Sequence, residues 1–337
     1  MKSMKKLVLV GLVLLASVMV LMGCDTNAGG GVTANSETVT GGGVTANSET
    51  VTVTQENFAD GLAQVQAKPG STLVLGDNIF LSNSVELTGN FVLDLKGKTI
   101  EKEKGTVFEL LADCSLTIKD SVGGGSIISG VTYGNCITNN GTLKLEGGTI
   151  RSGSTGVENT DSGTFTMNAG SINVDLHDGV SNSGTFMMNG GSINAKTNGV
   201  SNSGTSIISS GVIQAENYGV RNDGTLTVSG GSITATLAKK DNEKGAGVYN
   251  KKDFFLSGKP SITGTNSSFT LFAPISIVGA LTTDDVYTVK WWEFNTDTEV
   301  MKGSNYTITN TDVEKFDLIV PSSYSLELKD NTLVLKQ

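Results

Sequence analysis

This chain of 337 residues has one histidine, three cysteines, two tryptophans and two arginines, and only 6% of it is aromatic. Each shortage narrows what the protein can be. His177 has no second histidine and no nearby cysteine with which to complete a transition-metal site. Flanked by Asp175 and Asp178, it has the neighbours of a general base or ligand, but its setting is that of a solvated turn. With Arg151 and Arg221 as the only arginines and a formal net charge of −9, nucleic acid and anionic lipid surfaces are poor partners. Long helices are also missing from the middle of the chain. Between Cys136 and Ile233 no segment has room for three turns of helix.

Glycine, by contrast, is plentiful at 43 residues, and it is placed periodically. Three units read GVSNSGTFMMNGGSINAKTN, GVSNSGTSIISSGVIQAENY and GVRNDGTLTVSGGSITAT, with CITNNGTLKLEGGTI and the looser GVENTDSGTFTMNAGSI ahead of them. A period of about twenty residues marks a fold of stacked units. Ile150, Ile172, Ile193, Ile213 and Ile233 form one apolar ladder. Leu145, Met167, Met188, Ile208 and Val228 form a second in step with it, extended backwards through Ile118, Leu95 and Leu75. Runs such as Leu226-Thr227-Val228 alternate, as strands with one buried face do. Gly-Gly, Gly-Thr and Asn-x-Gly bound them as turns. The pattern predicts an all-β parallel β-helix over residues 55–267. Asn139, Asn182, Asn202, Asn222 and Asn250 share one motif position. Amides bonded from coil to coil and simple tolerance of a left-handed turn both account for them, and neither makes them a ligand site.

Residues 1–23 form an export signal: Lys2, Lys5 and Lys6, then an apolar run from Leu7 to Met22 that is too short and wrongly flanked for a membrane-spanning helix. It ends in Leu21-Met22-Gly23-Cys24, which resembles the lipobox of bacterial lipoprotein signals. That resemblance implies cleavage before Cys24 and acylation of its sulfur, so the anchor is a covalent lipid and no other cofactor is expected. Loss of the signal removes three lysines and no acid, leaving the mature chain more acidic still. Residues 24–54 contain GGGVTANSETVT twice and are expected to be a flexible tether of about thirty residues spanning on the order of 30 Å; a pair of extra coils is the alternative. Phe58, Leu62 and Val65 share a face of a helix expected over 55–67, which would cover the open end of the solenoid. Lys68-Pro69-Gly70 stops it.

The helix, then Gly70-Ser71-Thr72-Leu73-Val74-Leu75, Leu93-Asp94-Leu95 with Thr99-Ile100, and Leu116-Thr117-Ile118 with Asp120-Ser121 resemble the pectate-lyase-like superfamily. The resemblance covers about 55–263 and implies a single-stranded right-handed parallel β-helix. It marks fold well and activity weakly. Enzymes of that superfamily use clustered aspartates, often with calcium, or sets of carboxylates. Here Asp120 and Glu146 are the only acids in the column Asp120, Glu146, Asn168, Asn189, Ser209 and Ser229. Asp161, Asp175 and Asp178 spread over two corners.

Four further features complete the expectations. An insertion over 238–245 should project as a charged loop. Residues 268–337 should form a C-terminal β cap or small β module. Cys114 and Cys136 align with different corners, which favours two buried thiols over a disulfide. Of Trp291 and Trp292, alternation should bury one and expose the other, so one can stack on a sugar or sit half covered at the cap. The functional expectation is an exported lipoprotein at the cell surface or outer membrane, held to the membrane by lipid. Its β-helix would display a face to glycans or extracellular proteins without catalysis, metal or nucleic acid. The alternatives are a polysaccharide lyase or glycoside hydrolase, and a coat component with no ligand.

Overall fold

The computed structural model describes residues 48–130, 134–237, 244–291, 297–319 and 324–336, all within one compact unit, Thr45–Gln337. The signal, Cys24, most of the tether, insertion residues 238–243 and Trp292 lie outside the described residues. Each coil lays down three short strands, and equivalent strands pair in parallel into sheets of 14, 11 and 9 strands among the described residues, the last two strands of the 14-stranded sheet alone being antiparallel. The result is a right-handed parallel β-helix of about 11 turns.

Alternation decides which side chains enter the core. In the strand Thr142–Leu145, Leu143 and Leu145 are buried while Lys144 is exposed, because successive side chains of a strand face opposite ways. The isoleucine ladder becomes a column in the 9-stranded sheet, with Ile150, Ile172, Ile193, Ile213 and Ile233 paired in register. It runs on through Ile127, Ile100 and Ile79 on one side and Ile262 on the other. Every member is at most 1% exposed, and each burial contributes roughly 1.5–3 kcal/mol.

The second ladder needs a correction at its start. Leu145, Met167, Met188, Ile208 and Val228 do stack, and Ile118 stands before Leu145. Before Ile118, however, come Leu93 and Leu73 rather than Leu95 and Leu75. A two-residue slip keeps every apolar side chain facing inward, so alternation cannot detect it.

The helix forms as Phe58–Gln66 and buries Phe58, Leu62 and Val65. Gly61 weakens it as a helix but is required by packing: a Cβ there would stand 2.2 Å from Val53 Cγ1. That strand, Thr50–Val53, pairs with Ser71–Leu75 and shortens the expected tether, since its Thr-Val-Thr-Val alternation belongs to the first coil. The Gln55 side chain pairs with the backbone N–H and carbonyl of Phe80 at 2.6 and 3.2 Å, and Gln66 accepts from Thr88 N at 2.7 Å. Exposed strand edges are thereby partly closed.

At the far end the coils continue beyond residue 267, contrary to the expected boundary. Ser267–Leu271, Tyr287–Trp291 and Phe316–Ile319 extend the 11-stranded sheet in parallel. Ile275–Leu281 and Glu299–Gly303 extend the 14-stranded one. Irregular turn lengths erase the repeat from the sequence there while the alternation survives. The cap itself is a hairpin, Ser325–Lys329 and Thr332–Lys336, whose second strand runs antiparallel to Glu299–Gly303.

Candidate functional site

The motif asparagines are buried inside the stack. Asn139 donates to Asn159 at 2.7 Å, Asn159 to Asn182 at 2.7 Å, Asn182 to Asn202 at 2.8 Å, Asn202 to Asn222 at 2.7 Å and Asn222 to Asn250 at 2.7 Å. Their second amide hydrogens go to backbone carbonyls, as from Asn202 to Thr225 O at 3.0 Å. Leu110 and Leu271 occupy the neighbouring positions at the two ends. Buried amides satisfied on both sides are structural. Asn159 was missed by sequence reasoning because two extra residues follow it before Gly163; the preceding Gly-Val-x-Asn was the usable signal.

The acids considered for catalysis are largely engaged by the fold. Asp120 accepts from Gly97 N and Gly125 N, both at 2.7 Å, so it ties two turns together. Glu146 accepts from Asn168 at 2.8 Å, which in turn accepts from Asn189 at 2.9 Å, forming a short exposed ladder. Asp161, Asp175 and His177 are exposed, and Arg151 stands on the outer face between Ile128 and Asn173. Among the described residues no three His, Cys, Asp or Glu are grouped to hold a metal ion. Cys114 and Cys136 are free and buried. Burial, assisted by Asp113, pushes the Cys114 thiol up to about 12. Burial raises Cys136 as well, against a backbone contact from Ser129. Such thiols are inert at neutral pH.

A different place on the molecule has the character of a binding site. On the outer face of the 11-stranded sheet, a cleft of about 260 Å³ is lined by Thr197, Asn198, Tyr218, Arg221, Lys244 and Tyr249, with Asn217 at its side. Register brings these residues together. Asn198 pairs with Tyr218, and Arg221 with Tyr249, in successive coils. The Tyr218 and Tyr249 rings lie 4.7 Å apart, and Phe272 follows at 5.1 Å from Tyr249. Lys251 Nζ stands 5.4 Å from the centre of the Tyr249 ring. Asp223 accepts from Arg221 Nε at 2.9 Å.

Below the cleft, Asp178 accepts from both the backbone N–H and the side-chain amide of Asn198, at 3.1 and 3.0 Å. Burial pushes the Asp178 carboxyl above its usual range, opposed by those Asn198 bonds and by the charges of His177 and Arg221. Asn198 itself is only 6% exposed, and its Oδ1 is buried without a hydrogen-bond partner.

No known protein family, curated protein or solved structure matches this chain. The function must be read from the geometry. Of the tryptophans considered for stacking, Trp291 is 6% exposed and pairs with Leu271 in the core, so it offers no ring to solvent; Trp292 lies outside the described residues. The aromatic surface instead comes from Tyr218 and Tyr249. Each breaks its repeat: Tyr218 replaces the Asp178 or Asn198 before Gly-Val, and Tyr249 replaces Ser181, Ser201 or Arg221 after it. Two departures in adjacent coils were the available signal.

Proposed function

We propose that this protein is a membrane-anchored surface lipoprotein whose β-helix is a non-catalytic scaffold binding glycans or neighbouring extracellular proteins. The observation carrying the reading is the outward aromatic and polar cleft on a rigid stack, combined with acids that serve the fold. Asp120 and Glu146 are held in turn and ladder contacts, whereas Tyr218, Arg221 and Tyr249 face outward. A regular array of Ser, Thr and Asn on the remaining outer faces suits shallow contacts that act together through multivalency. The lipobox-like Leu21-Met22-Gly23-Cys24 supports a diacylglyceryl anchor at Cys24, since several acyl chains hold a protein where one binds marginally. Its acidity speaks against nucleic acid as a partner.

Metabolic labelling with a fatty acid analogue should mark the wild-type chain and leave Cys24→Ser unlabelled. Glycan and matrix-protein arrays should give selective signals, and flat responses on both would remove the binding role. Reducing ends or unsaturated products released from polysaccharides, with or without calcium, would replace the scaffold by an enzyme of the β-helix class.

A further inference from the structure

Within the glycan-binding reading, the cleft at Tyr218 and Tyr249 specifies what kind of sugar is held. Three independent features converge there. The first is a fixed floor. A native protein rarely buries an unpaired polar atom, yet Asn198 Oδ1 has no partner. Asp178, in the preceding coil, fixes the amide orientation by accepting from Asn198 Nδ2 at 3.0 Å. The oxygen is thereby turned away from Asp178, and Tyr218 of the following coil is the strand neighbour on that side. That oxygen is enclosed by the protein, so the Asn198 side chain shapes the floor of the cleft and takes no bond from a ligand.

The second feature is a pair of partly exposed rings stacked from coil to coil, the apolar surface against which a sugar face packs. The third is charge. On a chain with a net charge of −9, the cleft is lined by Arg221 and Lys244 and, among the described residues, by no carboxylate. Arg221 is anchored through Nε by Asp223, which sets the plane of its guanidinium, the side chain best suited to planar oxyanions. At about 260 Å³ the cleft lies just under the usual range for small-ligand pockets, roughly 300–1,000 Å³, which suits one unit of a longer chain.

We infer that this cleft binds one anionic saccharide unit, with the ring against Tyr218 and Tyr249 and the carboxylate, sulfate or phosphate held by Arg221. The inference rests on the glycan-binding reading and adds a location and a charge requirement to it. No bond is made or broken at this site.

The test is titration calorimetry on the full chain in mild detergent with four hexasaccharides: oligouronate, sulfated, phosphorylated and neutral. At least one anionic hexasaccharide should bind, with affinity about tenfold or more above the neutral one, and which one it is identifies the acid group. Tyr218→Ala and Arg221→Met should each reduce that affinity by about tenfold or more. Both side chains are partly exposed, so the variants should keep the wild-type melting temperature. Ser181→Ala, on the same face away from the cleft, should bind as wild type. Equal binding of neutral and anionic forms would overturn the charge requirement and leave glycan binding standing. Binding untouched by both cleft variants would overturn the location. No binding by any of the four would overturn this inference, and with flat glycan arrays would overturn the broader reading too.

Discussion

Asn202 shows what a single side chain contributes to the stack. It donates to Asn222 and to Thr225 O, and its Oδ1 accepts from Asn182 at 2.8 Å and from Ser206 Oγ at 2.8 Å. Asn202→Ala leaves the Asn222 oxygen and the Ser206 hydroxyl without that partner in a dry interior. It should lower stability by about 2–3 kcal/mol, read as a lower urea midpoint with an unchanged m-value. Asp94 is the residue through which acid should act. Burial alone would raise its carboxyl, but the N–H groups of Ser121 and Lys96 and the charge of Lys119 more than compensate, and it lies below the usual range. A folded-state value below the unfolded one means that the contribution is fully present above about pH 4. It is lost as pH falls through the folded value. Asp94→Asn should therefore cost stability at pH 7 and flatten the decline of melting temperature below pH 4.

At the scale of the element, each coil is constrained by how near its neighbour comes. Gly199 begins the Gly-Val of its coil, and a Cβ there would sit 2.1 Å from Ile213 Cγ2 and 2.6 Å from Gly219 O. One contact is backbone, so rotamer change cannot relieve it. Gly199→Ala should cost roughly 1–3 kcal/mol by overpacking, visible in chemical denaturation. The same substitution at Gly123, where nothing lies within 4 Å, meets no such contact; there the cost comes from its φ of +93°. The comparison separates steric crowding between coils from strain within one turn.

For the whole molecule, stability is approximately a sum of contacts between adjacent coils. The most regular coils, Leu143 to Ile233, have both neighbours and a continuous amide ladder. The last strands are finished by a single hairpin. Native-state hydrogen exchange should accordingly be slowest in the regular coils and fastest in Ser325–Lys329 and Thr332–Lys336. Uniform protection along the whole rod would show that it opens only as one cooperative unit.

The twenty-residue repeat by itself determined the stacked architecture, the isoleucine column and the shared position of most of the asparagines. Equivalent letters must lie on one another when each coil takes the same path. What only the tertiary structure decided depends on positions where the letters leave the repeat or tolerate two registers. Leu93 rather than Leu95 precedes Ile118, because a slip of two preserves inward-facing side chains. The coils run past residue 267, because turns of unequal length hide the period without disturbing strand pairing. The cleft was the least legible feature. Asn198, Tyr218, Arg221 and Tyr249 come from three successive coils, and their meeting on one outer face depends on register between strands, which no local pattern states.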